Sequence, residues 1–283
     1  MIIQKPIGDA VFYPSDPKTL HSLVINSMPR SQTGMHNFTS LPLAVISPHA
    51  AYSEVSEIMG EMYTKLQHIK PKNIVILAPL HGEILLEDAE YTTFYPEAEA
   101  FSLPGFTIPI DQTTLQKIDQ ISDSITMRNS YFEEEPAIEL QLPYIHQLFG
   151  EHPIIPLLVG NPSSRTSRNL LKILKTFDPK ETLFIISTNL TGDMPSDRAK
   201  THADTAVNIL TGKDSTPLLD ALKKKRISMC GTHIIDSVKK TGLFADIWTI
   251  MGYHIAELES VNRSTYSISA LSSPKSTERG TST

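Results

Sequence analysis

Four short runs, almost wholly apolar and rich in β-branched residues, constrain this chain more than anything else in it: 43–47, 73–77, 154–159 and 183–187. A strand with one wet face alternates polar with apolar residues, whereas a run without alternation suits a strand covered on both faces, as in a parallel sheet. Between the first two runs, Val55, Ile58, Met62, Leu66 and Ile69 recur at spacings of three and four, with Glu54, Glu57, Glu61 and Lys65 on the other side. That pattern predicts an amphipathic helix over 52–69 and a strand–helix–strand unit. Residues 137–149 repeat the helical spacing through Ile138, Leu142, Ile145 and Phe149, with Pro143 expected to kink the helix or restart it. Further helices are predicted at about 165–177, 199–212, 215–225 and 231–241, with closing strands at 248–254 and 265–271. The alternation predicts a single three-layer α/β domain over 1–271 around a mainly parallel central sheet. Residues 272–283 have no apolar side chain to bury and are expected to form a disordered tail.

Charge narrows the function classes. The chain carries 25 Lys+Arg against 31 Asp+Glu, a formal charge of −6, so it has no global basic field for a phosphate backbone and no nucleic-acid partner is expected. The N-terminus has no basic segment followed by an apolar run, and no stretch of 18 apolar residues occurs, so neither a signal peptide nor a membrane partner is expected. Cys230 is the single cysteine, which rules out an intramolecular disulfide and fits a reducing compartment. The expected location is the cytoplasm.

In open parallel sheets ligands bind where loops converge at the carboxyl ends of strands. After the first run comes Ser47-Pro48-His49-Ala50-Ala51-Tyr52, after the second Ala78-Pro79-Leu80-His81-Gly82, and after the fourth Thr188-Asn189-Leu190-Thr191-Gly192-Asp193. Two of these loops put a histidine at nearly the same offset, and two neutral imidazoles can meet on one metal ion. Cys230 precedes an amphipathic run, a position at a helix N-terminus that favours the thiolate. A His/His/Cys set with open positions is a catalytic style of metal site, because a structural site fills four protein ligands. The bland readings stand beside this one: a histidine at a strand end is commonly a hydrogen-bonded loop residue, and a lone cysteine a small buried hydrophobe. The acidic run Glu133-Glu134-Glu135, followed by Pro136, reads as a solvated helix start. No phosphate-binding glycine loop, G-x-S-x-G elbow, H-E-x-x-H or paired C-x-x-C occurs, so no nucleotide cofactor is expected.

Taken in order, Phe12-Tyr13-Pro14-Ser15-Asp16-Pro17, Pro48-His49-Ala50-Ala51-Tyr52, Ala78-Pro79-Leu80-His81, Glu135-Pro136-Ala137-Ile138-Glu139-Leu140-Gln141-Leu142-Pro143, Ile155-Pro156-Leu157-Leu158-Val159-Gly160 and Cys230-Gly231 resemble the MEMO family, also called AmmeMemoRadiSam system protein B. The resemblance covers about residues 8–271. It implies a domain similar to the class III extradiol, non-haem iron dioxygenases, with a metal held by His49, His81 and Cys230. Iron or copper and redox chemistry are what the resemblance implies, and the donor set also admits zinc.

The chain departs from the family pattern where proton chemistry is expected. The family's S-S-D-F-S-H stretch reads Ser187-Thr188-Asn189-Leu190-Thr191-Gly192, which replaces the acid by Asn189 and the histidine by Gly192. Its E-H-S-I-E stretch has Pro136 where the family has histidine, but keeps Glu139. General acid/base help is worth about 10²–10⁴ in rate, so such losses need substitutes, and Glu139, Asp193 and His233 are the candidates. Two readings follow: a metal-dependent oxidoreductase of dioxygenase-like chemistry on a small molecule, or a non-catalytic module for an anionic or phosphorylated peptide or protein, with Arg165, Arg168 and Arg198 as contacts. A third, zinc-assisted hydrolysis, needs a base beside a metal-bound water, with Glu139 as the candidate.

Overall fold

The four apolar runs pair with one another in parallel in the computed structural model, which describes residues 2–29, 41, 43–273 and 275. Its strands are β1 (Ile3–Gln4), β2 (Leu43–Ser47), β3 (Asn73–Pro79), β4 (Thr93–Tyr95), β5 (Ala100–Leu103), β6 (Phe106–Pro109), β7 (Ile125–Met127), β8 (Ile154–Val159), β9 (Thr182–Ser187), β10 (Met194–Pro195), β11 (Thr249–Leu258) and β12 (Arg263–Ser272). Its α-helices are α1 (Pro17–Ser27), α2 (Tyr52–Thr64), α3 (Gln112–Ile121), α4 (Asn129–Phe132), α5 (Leu142–Phe149), α6 (Ser164–Leu174), α7 (Ser196–Leu210), α8 (Leu218–Lys223) and α9 (Thr232–Lys240).

A nine-stranded sheet has the order β10-β12-β2-β9-β3-β8-β4-β7, with β11 on the flank of β12. β2, β9, β3 and β8 are parallel neighbours, β12 joins β2 antiparallel, and β4 joins β8 antiparallel. Every residue of β2, β8 and β9 is buried, as the absence of alternation predicts. Burying a Val, Leu or Ile contributes roughly 1.5–3 kcal/mol, so these strands supply much of the core. Helices α1, α2 and α5 pack together on one side, and α6, α8 and α9 form a second group in which α9 meets β3. Side-chain caps set several helix starts: Asp16 accepts from Thr19 N–H, Asp111 from Thr114 N–H and Ser163 from Thr166 N–H.

Several boundaries differ from expectation. The predicted 52–69 helix ends at Thr64, although Leu66 and Ile69 stay buried in the turns that follow. Pro143 marks a restart: a 3-10 turn, Glu139–Gln141, precedes α5, which places proline in the first helical turn where its missing N–H costs nothing. The closing strands extend to 249–258 and 263–272 as a hairpin. Ser272, placed in the expected tail, pairs with Ala44 at the end of β12, while the remainder of that tail at 274 and 276–283 lies outside the described residues. The small sheet β1-β5-β6 and the added strands β4 and β7 had no sequence expectation.

Candidate metal centre

Parallel pairing brings the loops after β2, β3 and β9 to one end of the sheet. Ser47 and Ser187 are in register at the ends of β2 and β9, and Leu80 N–H donates to the Val159 carbonyl at 2.9 Å where β3 leaves the sheet. The ligand atoms of His49, His81 and Cys230 all lie within 4.8 Å of one another. Cys230 Sγ is 3.6 Å from His49 Nε2, and the two imidazoles meet edge to face with centroids 5.1 Å apart. His49 and Cys230 are half-buried and His81 is exposed.

Hydrogen-bond accounting fixes which nitrogen each histidine offers. Ser187 donates its one hydroxyl proton to the Ala137 carbonyl at 2.7 Å, so its oxygen accepts from both Gln141 Nε2 at 3.1 Å and His49 Nδ1 at 3.0 Å. Gln141 is itself oriented by Tyr63, whose hydroxyl donates to Oε1, and by its own bond to the Pro48 carbonyl. His49 Nδ1 therefore carries a proton, and its Nε2 turns toward Cys230. The same Glu135 oxygen accepts from His81 N–H at 2.9 Å and from His81 Nδ1 at 2.8 Å, leaving His81 Nε2 for the shared centre. A carboxylate behind a ligating histidine sets ring orientation and raises basicity.

Cys230 sits just before α9, where Thr188 Oγ1 at 3.1 Å and Asn189 N–H at 3.4 Å approach its sulfur. Burial alone would raise its thiol pKa, but the His49 charge, followed by hydrogen bonds from His49, His81 and Thr188, holds it well below the usual value. The thiolate, and then Glu135, push His81 up to about 10. Burial works against ionising Glu135, yet the His81 contacts hold its carboxyl below the usual range. Gly231 allows the close approach: a Cβ there would lie 2.8 Å from Thr188 Cβ, and Gly231 N–H donates to Thr188 Oγ1 at 2.8 Å.

The centre opens onto a cavity of about 490 Å³ whose walls include Phe12, Leu80, Leu85, Tyr131, Pro136 and Asn189, with Glu83 and Glu134 among its polar lining. Among the described residues no Lys or Arg lines it. Asn189 acts as a clamp: its Oδ1 accepts from His49 N–H and its Nδ2 donates to the His49 carbonyl, both at 3.2 Å, an exchange that a carboxylate cannot make. Gly192 is exposed, with open space where a side chain would start.

The three groups expected to handle protons do not line this cavity. Glu139 is buried and accepts from Ile7 N–H, Gly8 N–H and the Tyr13 hydroxyl, so it anchors the N-terminal segment. Asp193 is exposed and paired with Arg263 at 2.9 Å. His233 is fully buried, and burial pushes its pKa down to about 4. Arg165, Arg168 and Arg198 are also absent from the lining; Arg165 donates instead to the Glu90 carbonyl. Glu135 and Gln141 are the functional residues that the sequence reading missed. Glu135, read as part of a solvated helix start, is 5% exposed. Its only signal in the sequence was adjacency to Pro136, which ends the acidic run. No helix among the described residues is long and apolar enough to cross a membrane.

Comparison with known proteins gives a consistent result. The family described as Memo-like protein matches residues 8–256. A MEMO1 family protein of Caldivirga maquilingensis is 24% identical over 240 residues, 82% of this chain and 83% of its own length. A MEMO1 family protein of Thermotoga neapolitana is also 24% identical, over 244 residues, 81% of this chain and 85% of its own. Among solved structures, an uncharacterized protein of Escherichia coli K12 superposes with a TM-score of 0.51 at 12% identity, covering 81% of this chain and 98% of that one, a likeness of fold.

Proposed function

The chain belongs to the Memo-like family, and from that membership and the site's geometry we propose that it holds one iron or copper ion on His49 Nε2, His81 Nε2 and Cys230 Sγ. The single observation that carries this reading is that both imidazoles are pinned through Nδ1, by Ser187 and by Glu135, so that their remaining nitrogens and the Cys230 sulfur converge, where a metal ion would displace the protons they share. Metal–ligand bonds of about 2.0–2.3 Å require donors some 3–4 Å apart, which the 3.6 Å between His49 and Cys230 satisfies. Two imidazoles and a thiolate suit copper, iron or zinc, and three protein donors leave positions open toward the cavity. A bound iron or copper ion supplies one-electron chemistry and a Lewis-acid contact for a small-molecule substrate.

The residues of the chain do the rest. Glu135 orients His81, the Ser187–Gln141–Tyr63 relay orients His49, and Phe12, Leu80, Leu85 and Tyr131 keep one side of the cavity apolar. The alternative, an anionic or phosphorylated peptide in this cleft, is disfavoured because no Lys or Arg among the described residues lines it while Glu83, Glu134 and Glu135 do. Zinc hydrolysis is disfavoured because Glu135 has both oxygens engaged, with Ala137 N–H on Oε1 and His81 on Oε2, and Glu139 lies outside the lining. Elemental analysis of untagged protein purified anaerobically, beside His49→Ala, tests the reading. Near-stoichiometric iron or copper lost in the variant supports it; zinc lost in the same way moves the chemistry to hydrolysis. No metal, and none taken up on reconstitution, overturns it.

A further inference from the structure

Glu139 is a buried carboxylate that the metal centre does not use, and its surroundings suit another task. Its Oε1 is 2.5 Å from the Tyr13 hydroxyl, and the N–H groups of Ile7 and Gly8 complete its shell at 2.9 and 2.8 Å. Tyr13 follows Phe12, which lines the cavity with His49, and Tyr52 N–H ties this segment to α2 through the Phe12 carbonyl at 2.7 Å. From Tyr13 a line of aromatic rings runs inward: Tyr52 with its centroid 5.8 Å away, then Tyr144 at 5.6 Å, then Tyr63 stacked on Tyr144 at 4.9 Å.

We propose that Tyr13 and Glu139 form a redox-active pair, in which Tyr13 gives one electron to an oxidant in the cavity while its phenolic proton passes to Glu139. The oxidant is, by class, an oxidised transition-metal ion, so in the cell the pair rests on the metal reading above. The step balances: the ion is reduced by one electron, the Tyr13 O–H bond breaks to leave a neutral tyrosyl radical, and the carboxylate becomes a carboxylic acid. An external reductant returns the electron and Glu139 returns the proton.

The partner of the phenol distinguishes Tyr13 from the tyrosines it packs against, and Tyr95, which donates to the Asp119 carboxylate at 3.1 Å, does not line the cavity. Tyr52, Tyr63 and Tyr144 donate to a carbonyl of Leu140, to the Gln141 amide and to a carbonyl of Ser56, none of which can take a proton at neutral pH. Tyr131 donates to Asp88, but that carboxylate is already ion-paired with Arg128. Among the described residues Glu139 has no cationic partner, and burial raises its carboxyl pKa, which makes it a better proton acceptor than an exposed glutamate. Loss of a phenol proton into water is opposed in turn by burial and by the Glu139 charge, which hold Tyr13 well above its ordinary pKa, so a direct transfer to Glu139 is the open route.

Photo-oxidation of the metal-free protein tests the pair without depending on the metal reading. A photogenerated ruthenium(III) tris-bipyridine complex serves as oxidant, and freeze-quench EPR reads the product. Expected is a persistent neutral tyrosyl signal that disappears in Tyr13→Phe and falls severalfold in yield in Glu139→Gln, with the radical still formed in Tyr52→Phe. Glu139→Gln keeps one oxygen for Gly8 N–H and the Tyr13 hydroxyl but loses the acceptor that Ile7 N–H meets at 2.9 Å, so its thermal midpoint is measured beside the radical yield, with Tyr52→Phe as the second folding control. A signal of equal yield and shape in Tyr13→Phe, or no persistent radical in the wild type, overturns the proposal. A yield unchanged in Glu139→Gln removes Glu139 as the acceptor. Metal titration of the same preparations is scored separately, so a failed metal site and a failed tyrosine pair give different results.

Discussion

One oxygen of Glu135 accepts two bonds from His81, the backbone N–H at 2.9 Å and ring Nδ1 at 2.8 Å, so a single carboxylate fixes both where this histidine starts and which way its ring faces. Its other oxygen accepts from Ala137 N–H at 3.1 Å, which ties the same carboxylate to the turn after Pro136. The candidate metal centre is thus braced from a segment distant in sequence from either histidine.

Glu135→Gln keeps an acceptor for one N–H but removes the charge behind His81. Metal affinity is expected to fall about 10–100-fold, the usual effect of losing an outer partner of a ligating histidine. Competitive titration against a chromophoric chelator measures it, and an affinity equal to wild type would show that Glu135 does not brace a ligand.

Ser187→Ala tests the other brace. It leaves Gln141 Nε2 and His49 Nδ1 without their shared acceptor and the Ala137 carbonyl without its donor, in a region where Gln141 and Ser187 are fully buried. Unsatisfied buried groups of this kind cost roughly 1–3 kcal/mol, so urea unfolding should show a stability loss in that range together with weaker metal binding. A stable variant that binds metal normally would mean that His49 is oriented by its backbone clamp to Asn189 alone.

Much of this arrangement was legible in the sequence, and the exceptions have physical reasons. His49, His81 and Cys230 could be picked out because apolar runs mark strand ends and a helix pattern marks the start of α9, and both are periodic signals. Glu135 and Gln141 were not, because burial of a polar side chain depends on a partner remote in sequence, which periodicity cannot report. Glu139 was singled out as an acid near the site, but the residues it meets are Ile7, Gly8 and Tyr13, more than a hundred positions earlier. Strands β1, β4, β7 and β10 are two or three residues long, too short to show an alternating pattern.

Arg128→Ala should be among the more destabilising changes outside the metal centre. Asp88 is fully buried and meets Arg128 Nη2 at 2.6 Å and Nε at 2.9 Å, while Tyr131 donates to the same carboxylate at 2.8 Å. Breaking a buried pair by removing one partner costs about 3–5 kcal/mol, and the remaining Tyr131 bond and the partial exposure of Arg128 place this case at or below the low end. Chemical denaturation of Arg128→Ala, Asp88→Asn and the double variant measures the coupling; additive losses would show that the pair is not a unit. Tyr131 lines the cavity, so ligand access should change along with stability.

His233 gives the fold an acid-sensitive point. Its ring is fully buried, and burial lowers its pKa from 6.5 to about 4. Below pH 6.5 the unfolded chain takes up a proton that the folded chain refuses, so the unfolded state binds more protons and stability falls as pH drops from about 6.5 toward 4, then levels off. A shift of this size corresponds to about 2–3 kcal/mol between pH 7 and pH 4.5, at roughly 1.4 kcal/mol per pH unit. In His233→Phe the ring no longer titrates, so the unfolding free energy should decline less over that interval by this amount, with other titrating groups cancelling between the two proteins. Equal declines in both would mean that His233 is protonated in the folded state as readily as in the unfolded one, and that its burial does not control the acid response.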